Sequence, residues 1–104
     1  MPMKILIAGA GVAGLEAALA LRAVGEDRVS VELVSPEREF VYRPLAVAAP
    51  FGAGEVRRFP VNRLAADIGA ELTEASVRAV QTERHSMETT AGELSYDLVL
   101  LALC

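Results

Sequence analysis

The sequence has few of the residues that many specialised sites require. Its single cysteine, Cys104, excludes an internal disulfide and a cysteine-based metal cluster. One cysteine also fits the reducing conditions of the cytoplasm, where we expect the protein. The only histidine, His85, lies in a polar stretch. We therefore expect it on the surface and predict no metal site.

Basic residues and long apolar runs are also scarce. Lys and Arg number 10 against 14 Asp and Glu, and the resulting net charge of −4 argues against a nucleic-acid-binding surface. The only basic pair, Arg57-Arg58, is expected in a solvated loop. No apolar run approaches the roughly 18 residues of a membrane-spanning helix, and no signal-peptide pattern is visible. The composition, 53% hydrophobic and 23% charged, is typical of one globular domain.

What the sequence does contain is a glycine-rich turn between apolar segments. Residues 4–8 (Lys-Ile-Leu-Ile-Ala) predict a strand, and residues 9–14 (Gly-Ala-Gly-Val-Ala-Gly) follow directly. An alanine-rich helix to about Val24 then leads to a second strand over 29–34. This βαβ order within residues 3–34 is the context in which G-x-G-x-x-G binds a dinucleotide. The alternative is a tight strand-to-helix turn that holds no ligand.

Each glycine of this turn has a physical role in a dinucleotide site. Gly9 allows the chain to turn sharply out of the first strand. Gly11 leaves room for a pyrophosphate to approach the main chain, and Gly14 lets the helix lie close to the strands. The helix N-terminus, with its free N–H groups and positive dipole end, then faces the phosphates.

The helix and the second strand make further predictions. Because the helix over 12–24 holds only two charged residues, we expect it to be covered on most of its circumference. Gly25 is expected just past its end, in a left-handed conformation. In the second strand, Ser30 and Glu32 alternate with apolar residues. Either one face of the sheet is thinly covered there, or the strand lies toward the sheet margin.

The residues after the second strand are candidates for recognising an adenosine ribose. An acid at this point accepts hydrogen bonds from ribose hydroxyls, whereas a nearby Arg accommodates a 2′-phosphate. The chain has Ser35, Pro36, Glu37 and Arg38 here. Glu37 could bind a ribose, and Ser35 with Arg38 could bind a phosphate. These residues alone do not separate FAD or NAD from NADP.

Residues 39–54 form an unusual apolar segment. They contain Phe40, Tyr42 and Phe51, and two prolines that prevent a long helix. One interpretation is a hydrophobic lid on the domain's own core, since buried aromatics most often serve packing. Others are a wall of a cofactor pocket, or a homodimer contact through residues 40–51.

The rest of the chain predicts the remainder of an α/β domain. A helix and a third strand are expected over 60–73, an antiparallel meander over 76–96, and a buried strand returning to the parallel sheet over 97–103. The predicted fold is a Rossmann-like three-layer fold, a parallel sheet with helices plus a small antiparallel meander, in a single domain.

In four segments the chain resembles the N-terminal part of the FAD-binding domain in pyridine nucleotide-disulfide oxidoreductase-like flavoproteins. The nearest branch contains sulfide:quinone reductases and type II NADH dehydrogenases. The segments are 9–14; 34–37 (Val-Ser-Pro-Glu) continuing into 40–45 (Phe-Val-Tyr-Arg-Pro-Leu); 75–80 (Ala-Ser-Val-Arg-Ala-Val); and 96–102 (Tyr-Asp-Leu-Val-Leu-Leu-Ala). A plain NAD-binding domain has no meander between the third and fourth strands.

This resemblance implies FAD as the cofactor and a role for each matching position. Gly9, Gly11, Ala13 and Gly14 would hold the FAD pyrophosphate. Ser35, or Glu37 just after it, would meet the adenosine ribose, and the backbone of Val77 would touch the adenine. Arg43 and Pro44 would approach the flavin side. No catalytic residue is assigned.

The chain also departs from the family pattern. Ser35 stands where the family usually carries an acid, and Leu103-Cys104 replaces the usual Thr-Gly after the last strand. The second nucleotide domain and the redox cysteines of the sulfide branch do not appear. Together with the resemblance, these departures imply a truncated FAD/NAD(P)-binding fold, one partial domain over residues 1–104. We therefore expect a segment of a flavin-dependent oxidoreductase that transfers electrons from NADH or sulfide to a quinone, and not a complete catalyst. The alternatives are a stand-alone NAD(P)-binding module and a non-catalytic, dimerising remnant.

Overall fold

The computed structural model describes residues 2–42 and 57–102. The first stretch contains β1 (Met3–Ala8), α1 (Val12–Gly25), a short 3₁₀ turn (Glu26–Arg28), β2 (Val29–Ser35) and β3 (Glu39–Tyr42). The second contains β4 (Arg57–Pro60), α2 (Val61–Ile68), β5 (Glu71–Glu74), β6 (Val77–Gln81), β7 (Ser86–Thr89), β8 (Gly92–Ser95) and β9 (Leu98–Leu101).

The central element is a parallel sheet of four strands in the order β5-β2-β1-β9. β1 pairs with β2 on one side and with β9 on the other, so that Ala8 lies opposite both Val34 and Leu101. At the far side of β2, Ser35 pairs with Glu74 of β5. Because all four strands run the same way, their carboxyl ends meet at one edge. The glycine turn leaves the sheet from this edge.

The sheet separates two hydrophobic cores. Side chains alternate along a strand, so β1 sends Ile5 and Ile7 to one face and Leu6 and Ala8 to the other. The first pair packs against both helices, and the second packs against the meander around Met87. This three-layer arrangement confirms the predicted fold class. The meander β6-β7-β8 is antiparallel, and the turn that holds His85 between β6 and β7 is exposed.

One antiparallel hairpin was not predicted. β3 and β4 pair with Phe40 opposite Phe59, so Arg57 and Arg58 lie in a strand and the prediction of a solvated loop there was wrong. The pairing partner of β4 lies 15 or more residues away along the chain, which local patterns do not reveal. Residues 43–56 lie outside the described residues. They include most of the segment 40–51 through which a homodimer contact was predicted.

The polar face of β2 is better covered than predicted. β2 lies between β1 and β5, not at the margin, and Glu32 is only 5% exposed. Its carboxylate lies 3.5 Å from Lys4 Nζ and accepts a hydrogen bond of 2.5 Å from the Thr73 hydroxyl. Neighbouring strands therefore supply the partners that make a buried carboxylate tolerable here.

Two elements are less covered than predicted. α1 buries only Gly14, Leu15 and Ala18, and its outer side leaves Val24 exposed over 74% of its surface. In the described part of the chain β9 pairs with β1 alone, and Leu101 is 61% exposed instead of buried. Within the described ranges, no helix is long and apolar enough to cross a membrane.

Candidate functional site

The turn between β1 and α1 begins at a glycine in a conformation that other residues rarely adopt. Gly9 has φ +113°, and its N–H donates to the carbonyl of Val34 at 2.9 Å. Side chains strain the backbone in this region, whereas glycine does not. The hydrogen bond ties the turn to the end of β2, which places the start of α1 over the carboxyl edge of the sheet.

Gly14 allows α1 to lie against this turn. A Cβ at Gly14 would overlap the carbonyl oxygen of Gly9 and would lie 3.0 Å from its carbonyl carbon. It would also lie 3.6 Å from Cγ2 of Ile7. The first turn of α1 therefore packs on the backbone of the glycine turn, with no space for a side chain.

The N-terminus of α1 has no side-chain cap among the described residues. Gly11 is the N-cap residue, and its carbonyl accepts the Leu15 N–H at 3.0 Å. No acidic residue lies in the first turn. The first N–H groups of a helix have no partner within the helix, so those of the exposed residues Val12 and Ala13 are available at its positive end. Such a group of amides binds phosphates and carboxylates.

The described residues leave open space beside Gly11. A Cβ there would meet none of their atoms within 4 Å, in contrast to one at Gly14. Gly11, Val12 and Ala13 are all exposed. The open approach to Gly11 fits a pyrophosphate that contacts the main chain, as in a dinucleotide cofactor.

Ser35, the last residue of β2, is almost fully buried. It is 2% exposed, and its Oγ accepts the N–H of Glu37 at 3.1 Å. Its carbonyl accepts the N–H of Ala75 at 3.0 Å, which ties β2 to the end of β5. The Glu37 side chain is exposed. Ser35 therefore organises the turn after β2, and Glu37 has the freer side chain at this edge.

Arg38 forms an ion pair with Glu74, an acid that the sequence analysis did not identify as a site residue. Its Nε lies 3.7 Å from Oε2 of Glu74, and the two side chains are 85% and 47% exposed. Glu74 is the register partner of Ser35. A signal was present in the sequence, because Glu74 directly follows the predicted end of the third strand and parallel strands end at a common edge.

Val77 also lies near this edge. It is the first residue of β6 and packs against the core that contains Val34 and Met87. The structure therefore brings the glycine turn, the end of β2 and the start of the meander together. Arg43 and Pro44 lie outside the described residues, so the predicted flavin side of the site has no structural description.

Comparison with solved structures identifies the same fold in several oxidoreductases. The sulfide:quinone oxidoreductase of Aquifex aeolicus matches 95% of this chain with a TM-score of 0.79 and 20% identity, over 24% of its own length. NDH2 of Plasmodium falciparum in complex with NADH matches 97% with a TM-score of 0.73 and 20% identity, over 22% of its length. The covalent putidaredoxin reductase–putidaredoxin complex matches 96% with a TM-score of 0.73 and 25% identity, over 25% of that chain.

These matches confirm the resemblance predicted from the sequence. The chain has the fold found in these solved proteins, and it spans about a quarter of the length of the chains that it matches. No protein-family model matches the sequence. The comparison with curated proteins finds no significant relative.

Proposed function

We propose that this chain binds the ADP half of FAD as part of a flavin-dependent oxidoreductase. The observation that carries the proposal is the N-terminus of α1, where the described part of the chain provides no side-chain cap and leaves open space beside Gly11. It lies where the first βα crossover leaves the carboxyl edge of a parallel sheet, the usual place for a dinucleotide.

The glycine turn has the parts needed to bind the pyrophosphate. Gly9 and Gly14 shape the turn and bring the helix close, while the amides after Gly11, including that of Ala13, donate to phosphate oxygens. Within the described chain, neither the glycine turn nor the first turn of α1 contains a basic residue. Backbone N–H groups and the helix dipole therefore supply the binding energy.

The adenosine end would lie across the end of β2 and the start of β6. Glu37 is exposed beside buried Ser35, so we assign the ribose contact to this turn. The backbone of Val77 would lie against the adenine. Arg43 and Pro44 stay our candidates for the flavin side because of the family pattern alone.

The reaction we propose for the complete protein is electron transfer from NADH or sulfide to a quinone-type acceptor. Its support is the fold shared with a sulfide:quinone oxidoreductase and with an NDH2 solved with NADH. FAD would supply the redox chemistry, and the protein would position the cofactor. Because the chain spans about a quarter of those proteins, we propose that it binds the cofactor without being a complete catalyst.

The proposal is tested by titrating the purified full chain with FAD and, separately, with NADPH. We expect FAD to bind and Gly11→Val to weaken it about 100-fold, or about 2.7 kcal/mol, because the side chain fills the space that the pyrophosphate needs. Ala23→Val is the matched control, since Ala23 is exposed near the other end of α1. Circular dichroism checks that both variants fold.

Three results would contradict the proposal. The first is an unchanged FAD affinity in Gly11→Val. The second is tight binding of NADPH without FAD, which would support a stand-alone NAD(P)-binding module. The third is a folded dimer that binds no nucleotide, which would support a non-catalytic remnant.

A further inference from the structure

β2, the second strand, ends without an acid, but Glu74 of the adjacent strand β5 supplies a carboxylate at the same edge of the sheet. In the common dinucleotide site an acid at the end of the second strand recognises the ribose. Here Ser35 holds that position, is 2% exposed, and uses its Oγ to accept the Glu37 N–H. Glu74 is the register partner of Ser35 on the adjacent strand, and its side chain is 47% exposed. Paired residues of parallel strands point to the same face, so Glu74 lies beside the position that Ser35 occupies.

The Glu74 carboxylate also forms an ion pair with Arg38, the cation that would otherwise attract a 2′-phosphate. An Arg just after the second strand is the group that accommodates the phosphate of NADP. Arg38 occupies that position, but its Nε lies 3.7 Å from Oε2 of Glu74. The carboxylate offsets the positive charge of the guanidinium, so the pair presents no net positive charge to a phosphate that approaches it. Arg38 is 85% exposed, so nothing else in the described chain encloses it.

We propose that Glu74 is the residue that selects adenosine without a 2′-phosphate. It does so from the third strand of the sheet, in place of the missing acid on the second. The inference rests on the proposed nucleotide site and adds to it the class of dinucleotide accepted: FAD-type or NAD-type, and not NADP-type. Glu37 is the rival candidate, since it is an exposed acid at the same edge that has no ion-pair contact with Arg38.

The test compares ADP-ribose with 2′-phospho-ADP-ribose, two ligands that differ by one phosphate. Both are titrated calorimetrically into the full-length wild-type chain. We expect wild type to bind ADP-ribose about tenfold more tightly than 2′-phospho-ADP-ribose. Glu74→Gln should reduce this preference about fivefold, which is roughly the effect of one exposed charge pair. Adding Arg38→Gln to Glu74→Gln should cancel the gain for the 2′-phosphorylated ligand, because the released guanidinium causes it.

Glu71→Gln is the matched control. It removes the same charge from the same strand at an exposed site, three residues before the edge. We expect it to leave the preference at the wild-type value. Raising the ionic strength should reduce the effect of Glu74→Gln, since exposed charges are screened within about 10 Å at 0.1 M salt.

The outcomes separate this inference from the proposed function. If wild type binds ADP-ribose and Glu74→Gln leaves the preference unchanged, the role of Glu74 is overturned and the nucleotide site stands. A change in Glu37→Gln, without one in Glu74→Gln, overturns it in the same way. If wild type binds neither ligand, both the proposed function and this inference are overturned.

Discussion

The carbonyl group of Gly9 occupies the space that a side chain at Gly14 would need. Gly11, between them, has no such neighbour among residues 2–42 and 57–102. Each of the three positions in the turn therefore requires glycine for a different physical reason. Gly9 provides the sharp bend, Gly14 allows the helix to pack, and Gly11 leaves room for a ligand. A substitution at Gly14 should therefore lower stability, whereas one at Gly11 should weaken ligand binding and leave stability nearly unchanged.

Gly14→Ala should destabilise the fold. The methyl group would overlap the Gly9 carbonyl, and overpacking against backbone costs about 1–3 kcal/mol. The measurement is the free energy of unfolding from urea denaturation. Gly11→Ala is the matched control, and we expect it to change stability by less than about 0.5 kcal/mol while weakening nucleotide binding. Equal losses of stability in the two variants would contradict the separation of roles.

Asp97 should stabilise the start of β9 against β1. Its Oδ2 accepts the Lys4 N–H at 2.7 Å, and its own N–H donates to the Lys4 carbonyl at 2.8 Å. Asp97→Ala should lower the free energy of unfolding by about 1 kcal/mol, the usual value of an intramolecular hydrogen bond. Asp97→Asn keeps an acceptor oxygen and should lose less. Asp67→Ala removes the same charge from an exposed site on α2 and should not destabilise the chain; a loss equal to that of Asp97→Ala would refute the assignment.

The pair of Lys4 and Glu32 should show strong coupling. Lys4→Met leaves the Glu32 carboxylate, 5% exposed, without its cation. We expect a loss of about 2 kcal/mol, below the 3–5 kcal/mol of a fully buried pair, because the Lys4 side chain is 37% exposed. Glu32→Gln removes the charge but keeps an acceptor for Thr73. Added to Lys4→Met, it should recover part of the loss, and simple addition of the two single effects in urea denaturation would contradict the coupling.

Much of the sheet and of the glycine turn could be predicted from local patterns. The strand–turn–helix–strand order over residues 3–34, the meander and the exposed turn at His85 need only hydrophobic periodicity and turn residues. Gly69, the residue after α2, takes the left-handed conformation with φ +82°, which suits a glycine at a helix C-terminus. These features depend on neighbours a few residues away.

The remaining features depend on contacts that are distant in sequence. The partners of Glu32 are Lys4 and Thr73, 28 and 41 positions away, and no local pattern reveals that they meet. The sequence did not reveal that one side of α1 is exposed, because alanine is compatible with either a buried or an exposed helix face. Gly25 was assigned the left-handed position, but it has φ −84°, and Glu26 takes φ +50° instead. A Cβ at Gly25 would overlap Cγ2 of Val29, which is the reason for glycine there.

The candidate site was predicted less completely than the fold. The sequence identified Gly9, Gly11 and Gly14, and the strand end at Ser35. It did not show that Ser35 would be buried, nor that Glu74 would lie beside it, because both facts follow from the register between β2 and β5.

The most direct test of the central claim is a titration of the ¹⁵N-labelled full chain with 5′-ADP, followed by NMR. If the N-terminus of α1 binds the pyrophosphate, the backbone amide signals of Gly11, Val12, Ala13 and Gly14 will shift in a saturable way. Signals of the outer meander, such as that of Glu88, will stay in place. Saturable binding that leaves the four amides of the glycine turn unmoved, or no binding at all, would contradict the account.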